Sequence, residues 1–127
     1  MILGFKQQFV QPILDGTKIH SLRQDPHNRW HAGREMQLAT GVRTKNYNCF
    51  KEDICISVQE IYMIYSNYLL EILINDKYLE YSGKVLLAKN DGFNSFEDFE
   101  SWFAPEVGYY SNEPYSMKII HWTDFKY

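Results

Sequence analysis

The chain has 127 residues, of which 45% are hydrophobic and 17% aromatic, and its formal net charge at pH 7 is −3. This length suits one domain, residues 1–127, with one core, and the apolar content excludes an intrinsically disordered chain. No run approaches the roughly 18 consecutive apolar residues that span a bilayer, so we expect no membrane association. Residues 1–5 lack the layout of a signal peptide, which leads us to expect a cytoplasmic location.

The charges are distributed unevenly along the chain. Residues 1–50 carry seven Lys/Arg against three Asp/Glu, a net +4, whereas residues 51–127 carry six against thirteen, a net −7. Proteins that hold long nucleic acid through phosphate contacts are usually basic overall. We therefore expect a local polar or anionic ligand, single-stranded RNA at most, and no useful affinity for duplex DNA.

The predicted elements mix short strands with three short helices. In chain order, strands are expected at 2–5, 17–23, 35–40, 54–61, 68–74, 77–81 and 116–122, and helices at 8–15, 83–90 and 95–104. Gly16 is expected to end the first helix in the left-handed conformation, and Pro105 to end the last. Asn75-Asp76 predicts a hairpin turn, and Ser95 with Asp98 predicts a helix N-cap. Because the elements do not alternate as βαβ units, they indicate a compact α+β or barrel architecture.

Side-chain spacing predicts which faces are buried. In the second helix the inward residues are expected to be Val85, Leu86 and Ala88, and in the strand 54–61 one face should carry Ile54, Ile56 and Val58. The last helix should bury an aromatic stripe, which consists of Phe96, Phe99, Trp102 and Phe103.

The junction between the first helix and the second strand carries the first candidate functional groups. Lys18 can bind an anion, polarise a carbonyl or, if desolvated, act as a base; the alternative is a solvated surface lysine. Ser21 can be a nucleophile with Lys18 as its base, or an ordinary strand hydroxyl. In a regular strand these two side chains point to opposite faces, so they converge only if the strand becomes regular after Lys18 or carries a bulge. Arg23 can bind a carboxylate or phosphate, or pair with Asp25.

Aromatic and metal-ligating residues give weaker signals. Trp30, between Arg29 and Arg34 in a predicted loop, is a candidate for stacking on a base, whereas Trp122 is expected in the core. The histidines His20, His27 and His31 lack the convergent cysteines and the spacing of a zinc site, so we predict no metal and no cofactor. The only cysteines, Cys49 and Cys55, are expected to be reduced thiols.

The pattern Gly-x-Lys-x-x-x-x-Arg at residues 16–23 resembles the signature of the ASCH (activating signal cointegrator homology) domains, which belong to the PUA-like β-barrels. The resemblance covers most of the chain. It continues through Arg29-Trp30-x-x-Gly33, Gly41-Val42-Arg43-Thr44, residues 87–93 and residues 119–124. It implies a mainly β, α+β fold, a PUA-like β-barrel with about three short helices packed around it.

The same resemblance implies a catalytic set. Bacterial ASCH proteins that hydrolyse N4-acetylcytidine use a lysine, a threonine and a glutamate. On this chain the lysine matches Lys18, the threonine matches Ser21, and the glutamate falls near Asp91 or Gly92. If Asp91 takes that role, it orients Lys18; otherwise it is a turn residue between two helices.

Three functions stay open on the sequence. The first is a cleft that binds RNA or a small nucleobase-containing ligand, the second is an amidohydrolase acting on an N-acylated nucleoside, and the third is a protein-binding adaptor. The ligand-binding residues are expected to be Arg23, Arg29, Trp30, Arg34 and Arg43. We expect a monomer or a weak dimer.

Overall fold

The computed structural model describes residues 1–127 and has a mixed α+β fold, mostly β, with eight strands and three helices. The strands are β1 Ile2–Gly4, β2 His20–Arg23, β3 Glu35–Thr40, β4 Asn48–Ile54, β5 Ser57–Ser66, β6 Leu69–Ile74, β7 Lys77–Tyr78 and β8 Tyr115–His121. The helices are α1 Val10–Asp15, which follows a 3-10 turn at Gln7–Phe9, α2 Tyr81–Asn90 and α3 Phe96–Val107. None of the helices has the length and apolarity needed to cross a membrane.

The strands form two separate sheets. One has three strands in the order β1-β3-β4, in which β1 and β3 run parallel. The other has five antiparallel strands in the order β2-β8-β5-β6-β7, so that β2 is an edge strand. The strand pairings do not close the sheets into one barrel.

Two helix caps and one hairpin turn form as their residues predict. Gly16 has φ +81° and ends α1, as predicted for a left-handed C-cap. Asn75 and Asp76 both have positive φ and join β6 to β7 in a two-residue hairpin, which confirms the turn. Ser95 Oγ accepts a hydrogen bond from the Asp98 N–H at 3.1 Å and caps α3.

Several expected boundaries were wrong. The strand expected at 77–81 ends at Tyr78, and α2 begins at Tyr81 instead of residue 83. The second strand begins at His20, three residues later than expected, because the Thr17 and Lys18 N–H groups donate to the Pro12 carbonyl in the helix cap. The strand expected at 54–61 is broken at residues 55–56, so that Ile54 and Ile56 are exposed while Cys55 is buried. Pro105 lies inside α3, since its fixed φ is compatible with a helix and it forfeits only one hydrogen bond.

One cluster of 26 buried residues forms the core. α3 packs against α2 and β5 and buries Phe96, Phe99 and Phe103, whereas Trp102 remains 38% exposed and the predicted aromatic stripe is therefore only partly buried. In α2 Ala88 is buried as predicted and Val85 is half-buried against the core, but Leu86 is exposed and Lys84 and Leu87 are buried instead. Trp122 is in the core, as expected.

Candidate functional site

A cleft of about 500 Å³ lies between the β1–α1 connection, β2, the turn after α2, and α3. Its aromatic lining consists of Phe5, Phe9, Phe93, Trp102, Phe103 and Tyr115. Its polar lining consists of Lys6, Ser21, Arg23, Gln24, Asp91 and Glu106. A mostly apolar cleft of this size with a few convergent polar groups is typical of small-molecule sites.

Asp91, which lines this cleft, forms a buried ion pair with Lys18. Lys18 Nζ lies 3.0 Å from Asp91 Oδ1 and also donates to the Asp91 backbone carbonyl at 2.6 Å. Only 3% of Lys18 is exposed, and the Phe9 ring lies 4.9 Å from its ammonium. Burial lowers the pKa of Lys18 below its usual value, and the charge of Asp91 opposes that shift. The lysine is therefore a structural and electrostatic part of the site, and the expectation of a solvated side chain was wrong.

The backbone explains why these two residues meet. Ile19 N–H, just after the cap of α1, donates to the Asn90 carbonyl at the end of α2 at 2.9 Å, which brings the two segments side by side. Asp91 ends α2, and the next residue, Gly92, has φ +92°. A Cβ at Gly92 would lie 2.9 Å from Lys18 Cδ, so only glycine lets the lysine stem pass this close.

Ser21 and Arg23 line the cleft from β2. Arg23 Nε donates to Ser21 Oγ at 2.9 Å, and its Nη2 donates to the Gly4 carbonyl at 2.6 Å. The guanidinium also lies 4.9 Å from the Phe5 ring, which holds it in place. Because Lys18 precedes the regular strand, strand alternation does not force its side chain away from the face that carries Ser21. The hydrogen bonds of Lys18 Nζ nevertheless run to Asp91 alone.

His20 contacts Asp91 from a second direction. Its Nδ1 lies 3.2 Å from Asp91 Oδ1, and its Nε2 lies 2.6 Å from the Tyr127 hydroxyl. The Tyr127 hydroxyl accepts a further hydrogen bond from Asn90 Nδ2 at 3.0 Å. His20 is fully buried, whereas His27 and His31 are exposed loop residues that do not accompany it.

The remaining predicted ligand-binding residues do not line the cleft. Arg29 and Arg43 are exposed, and Arg34 is half-buried. Trp30 is buried in the core cluster, so it is not the exposed stacking residue that the loop position predicted. The backbone N–H of Trp30 donates to Asp25 Oδ2 at 2.9 Å, and Lys118 Nζ lies 3.3 Å from the same oxygen. The ion-pair partner of Asp25 is therefore Lys118 and not Arg23.

The sequence did not point to Tyr127, Phe5, Phe9 or the cleft-lining role of Trp102. The helical spacing of Trp102 correctly placed it on the apolar stripe of α3. Spacing alone does not show how much of each residue on the stripe is exposed to solvent. Tyr127 contacts His20 across 107 positions, and no local pattern signals such a contact. No family model, no curated protein and no solved structure matches the chain.

Proposed function

We propose that the cleft is the active site of an amidohydrolase that acts on a small N-acylated nucleoside, of which N4-acetylcytidine is the type, and that the chain is a divergent ASCH-type, PUA-like domain. The observation that carries this proposal is the buried Lys18–Asp91 ion pair, whose acid, Asp91, lines the same cleft as Ser21. Buried ionisable groups that perturb one another in a cleft are characteristic of catalytic sites.

The size and charge of the cleft favour a small ligand of low net charge. Its lining carries two cations, Lys6 and Arg23, and two anions, Asp91 and Glu106, so there is no basic track for a polyanion. The aromatic lining offers ring faces to a planar ligand, and Trp102 is the most exposed of its tryptophan and phenylalanine rings.

The side chains supply the parts of an acyl transfer. Arg23 Nε–H donates to Ser21 Oγ, so this bond does not use the Ser21 hydroxyl proton, which a base can remove. Burial lowers the pKa of Lys18 and so favours the deprotonated amine, which is the form that can act as a base. In the proposed reaction Ser21 Oγ bonds to the acyl carbon, the Lys18 amine takes the Ser21 proton, and that proton passes to the leaving amine as the C–N bond breaks. Water then hydrolyses the ester, which releases the carboxylic acid and restores Ser21. This reaction requires Lys18 Nζ, whose hydrogen bonds run to Asp91 in the structure, to reach Ser21 Oγ in the substrate complex.

The test is incubation of the protein with N4-acetylcytidine and other N-acyl nucleosides, with cytidine or the parent nucleoside detected by chromatography. Ser21→Ala should lower the rate by about 10³-fold or more while ligand binding persists, because the nucleophile is lost and the cleft is not. Ser66→Ala, on the exposed end of β5, is the matched control and should keep full activity. Equal turnover by the Ser21→Ala variant and the wild type would overturn the assignment of Ser21.

A second candidate function is binding of the same class of ligand without hydrolysis. The observation that favours it is that Ser21 Oγ is bonded to Arg23 and Lys18 Nζ to Asp91, with no direct bond between the two pairs. Saturable binding of N4-acetylcytidine by calorimetry, together with no product after prolonged incubation, would support this candidate over the enzyme.

A further inference from the structure

Asp91 accepts the last bond of a hydrogen-bond chain that begins at the half-buried Asn90 and Tyr127 and passes through the fully buried His20. Asn90 Nδ2 lies 3.0 Å from the Tyr127 hydroxyl, which lies 2.6 Å from His20 Nε2, and His20 Nδ1 lies 3.2 Å from Asp91 Oδ1. Asp91 lines the cleft, whereas Asn90, His20 and Tyr127 do not. Any effect of these three residues on the cleft is therefore exerted through Asp91.

The direction of the hydrogen bonds follows from the Asp91 end of the chain. An ionised carboxylate accepts only, so the His20 nitrogen that faces Asp91, Nδ1, carries a proton. With its single proton on Nδ1, the imidazole accepts at Nε2 from the Tyr127 hydroxyl, whose oxygen accepts from Asn90 Nδ2. Nδ1–H then donates to the carboxylate of Asp91, which also accepts from Lys18. In this arrangement every polar group of the chain has a partner of the correct kind.

The surroundings keep the chain in this state. Burial raises the pKa of Tyr127, so its hydroxyl keeps the proton that it donates to His20. The backbone of Tyr127 is itself fixed, because its N–H donates to Gln59 Oε1 at 3.0 Å and its carbonyl accepts from Gln59 Nε2 at 2.9 Å. Asn75 Nδ2 donates to the same carbonyl at 2.8 Å.

We propose that His20 and Tyr127 are positioning residues of the active site: Tyr127 fixes the tautomer of His20, and His20 holds the Asp91 carboxylate against Lys18. The opposite tautomer would direct an unprotonated Nδ1 at the carboxylate, and the two lone pairs would repel each other. Asp91 would then move away from its position beside Lys18. The catalytic consequence rests on the proposed function, but the tautomer and the carboxylate position do not.

The variant that isolates this effect is Tyr127→Phe, which removes one hydroxyl and keeps the ring. Since the direct lining of the cleft is unchanged, kcat for an N-acyl nucleoside should fall by about 10- to 100-fold, as is usual for residues that orient a catalytic group, while KM changes less than about twofold. Tyr62→Phe is the matched control, since the Tyr62 hydroxyl has only a long bond of 3.4 Å to the exposed Glu60, and it should leave kcat unchanged.

A second set of variants separates positioning from packing. His20→Asn places an amide N–H close to the position of Nδ1–H and should keep most of the activity, whereas His20→Leu removes the donor and should lose it to the same extent as Tyr127→Phe. If His20→Asn is as inactive as a folded His20→Leu variant, the donor role of His20 is wrong.

The tautomer is measured without any substrate. Long-range ¹H–¹⁵N correlation spectra should show His20 with a protonated Nδ1 and an unprotonated Nε2, its signals being assigned by their absence in His20→Asn. In Tyr127→Phe the His20 nitrogen signals and the Asp91 carboxyl ¹³C signal should both shift, while those of Tyr62→Phe should not. A protonated Nε2 in the wild type, or unchanged signals in Tyr127→Phe, would overturn the proposal. Absence of turnover by the wild type would instead count against the proposed function, because the NMR result is independent of it.

Discussion

At the scale of single residues, the burial of Lys18 determines how the stability of the protein responds to its substitution. The sequence suggested an exposed lysine whose removal would change stability by less than about 0.5 kcal/mol. Because Lys18 is 3% exposed and paired with Asp91, Lys18→Ala leaves a buried carboxylate with only His20 as a side-chain partner. We expect it to lower the free energy of unfolding by about 3–5 kcal/mol, measured by urea denaturation.

Two further variants test whether the cost comes from the unpaired charge. Lys126→Ala, at an exposed position, should change the free energy of unfolding by less than about 0.5 kcal/mol. The double variant Lys18→Met, Asp91→Asn removes both charges and should recover most of the loss. A Lys18→Ala protein as stable as Lys126→Ala would contradict the buried pair.

Gly92 has a close contact that a second glycine lacks. Gly92 and Gly33 have nearly the same φ, +92° and +91°. A Cβ at Gly92 would lie 2.9 Å from Lys18 Cδ, whereas a Cβ at Gly33 would meet nothing within 4 Å. Alanine at either position costs about 1 kcal/mol of backbone strain. We expect Gly92→Ala to cost about 1–3 kcal/mol more than Gly33→Ala in thermal or urea unfolding, and also to disturb the cleft, because Lys18 has to move. Equal costs would show that the lysine stem adapts freely.

His121 predicts how stability depends on pH. Burial lowers the pKa of His121 from 6.5 to about 4, and the nearby positive charge of Lys126 contributes a smaller part of this shift. A buried base with a lowered pKa takes up its proton more readily when the chain unfolds, so its contribution to stability is complete above pH 6.5 and is lost as the pH falls towards 4. The melting temperature should therefore decline over this interval, and His121→Gln should flatten the decline.

The control for this pH dependence is His27→Asn, because His27 is exposed. This variant should reproduce the wild-type decline in melting temperature. If the melting temperature of His121→Gln declines as much as that of the wild type, the decline is caused by the carboxylates and not by His121.

At the scale of elements, α3 has two classes of aromatic residue. Phe99 is fully buried, whereas Trp102 is 38% exposed and meets Phe9 and Phe93 edge to face along the cleft. Phe99→Ala should cost about 3–5 kcal/mol, as for a large core aromatic, and Trp102→Ala only about 1–2 kcal/mol, because much of its surface is never removed from water. Urea denaturation of both variants measures the difference. A greater loss of stability for Trp102→Ala than for Phe99→Ala would contradict the assignment of Phe99 to the core and Trp102 to the cleft wall.

Local chemistry explains which elements were predictable. Gly16, Ser95 and the pair Asn75-Asp76 act through their own backbone preferences, and their predicted roles are confirmed. Strand β4 was not predicted, because its sequence is mostly polar and it pairs at an edge with exposed side chains. The break at residues 55–56 was also missed, because Ile54 and Ile56 resemble a buried strand face although both remain exposed.

The candidate site was predictable only in part, for a similar reason. Lys18, Ser21 and Arg23 come from one short segment whose residue types can be read together. Asp91 was suggested only by the family resemblance, and it lies 73 residues from Lys18 in the sequence. Arg29, Arg34 and Arg43 also belong to the positively charged first fifty residues, but they do not line the cleft, since composition does not determine which way a side chain points.

For the whole molecule, the charge distribution limits the ligands. The chain carries a net −3, and the cleft lining balances two cations with two anions. We expect duplex DNA to bind more weakly than about 100 µM at physiological salt and single-stranded RNA to bind weakly and with strong salt dependence, both measured by fluorescence anisotropy. Tight duplex binding that survives higher salt would contradict this expectation.

The hydrogen bond from Ile19 N–H to the Asn90 carbonyl joins the two segments that carry Lys18 and Asp91. Its donor, Ile19, directly precedes β2 and its acceptor, Asn90, is the last residue of α2, so it is a single bond between two elements and not part of a ladder. Exchange of that amide with deuterium therefore requires the segments to part, and the same opening exposes the buried ion pair to water. The exchange rate at Ile19 consequently reports the fraction of molecules in which the site is assembled, without a ligand and without a change in sequence.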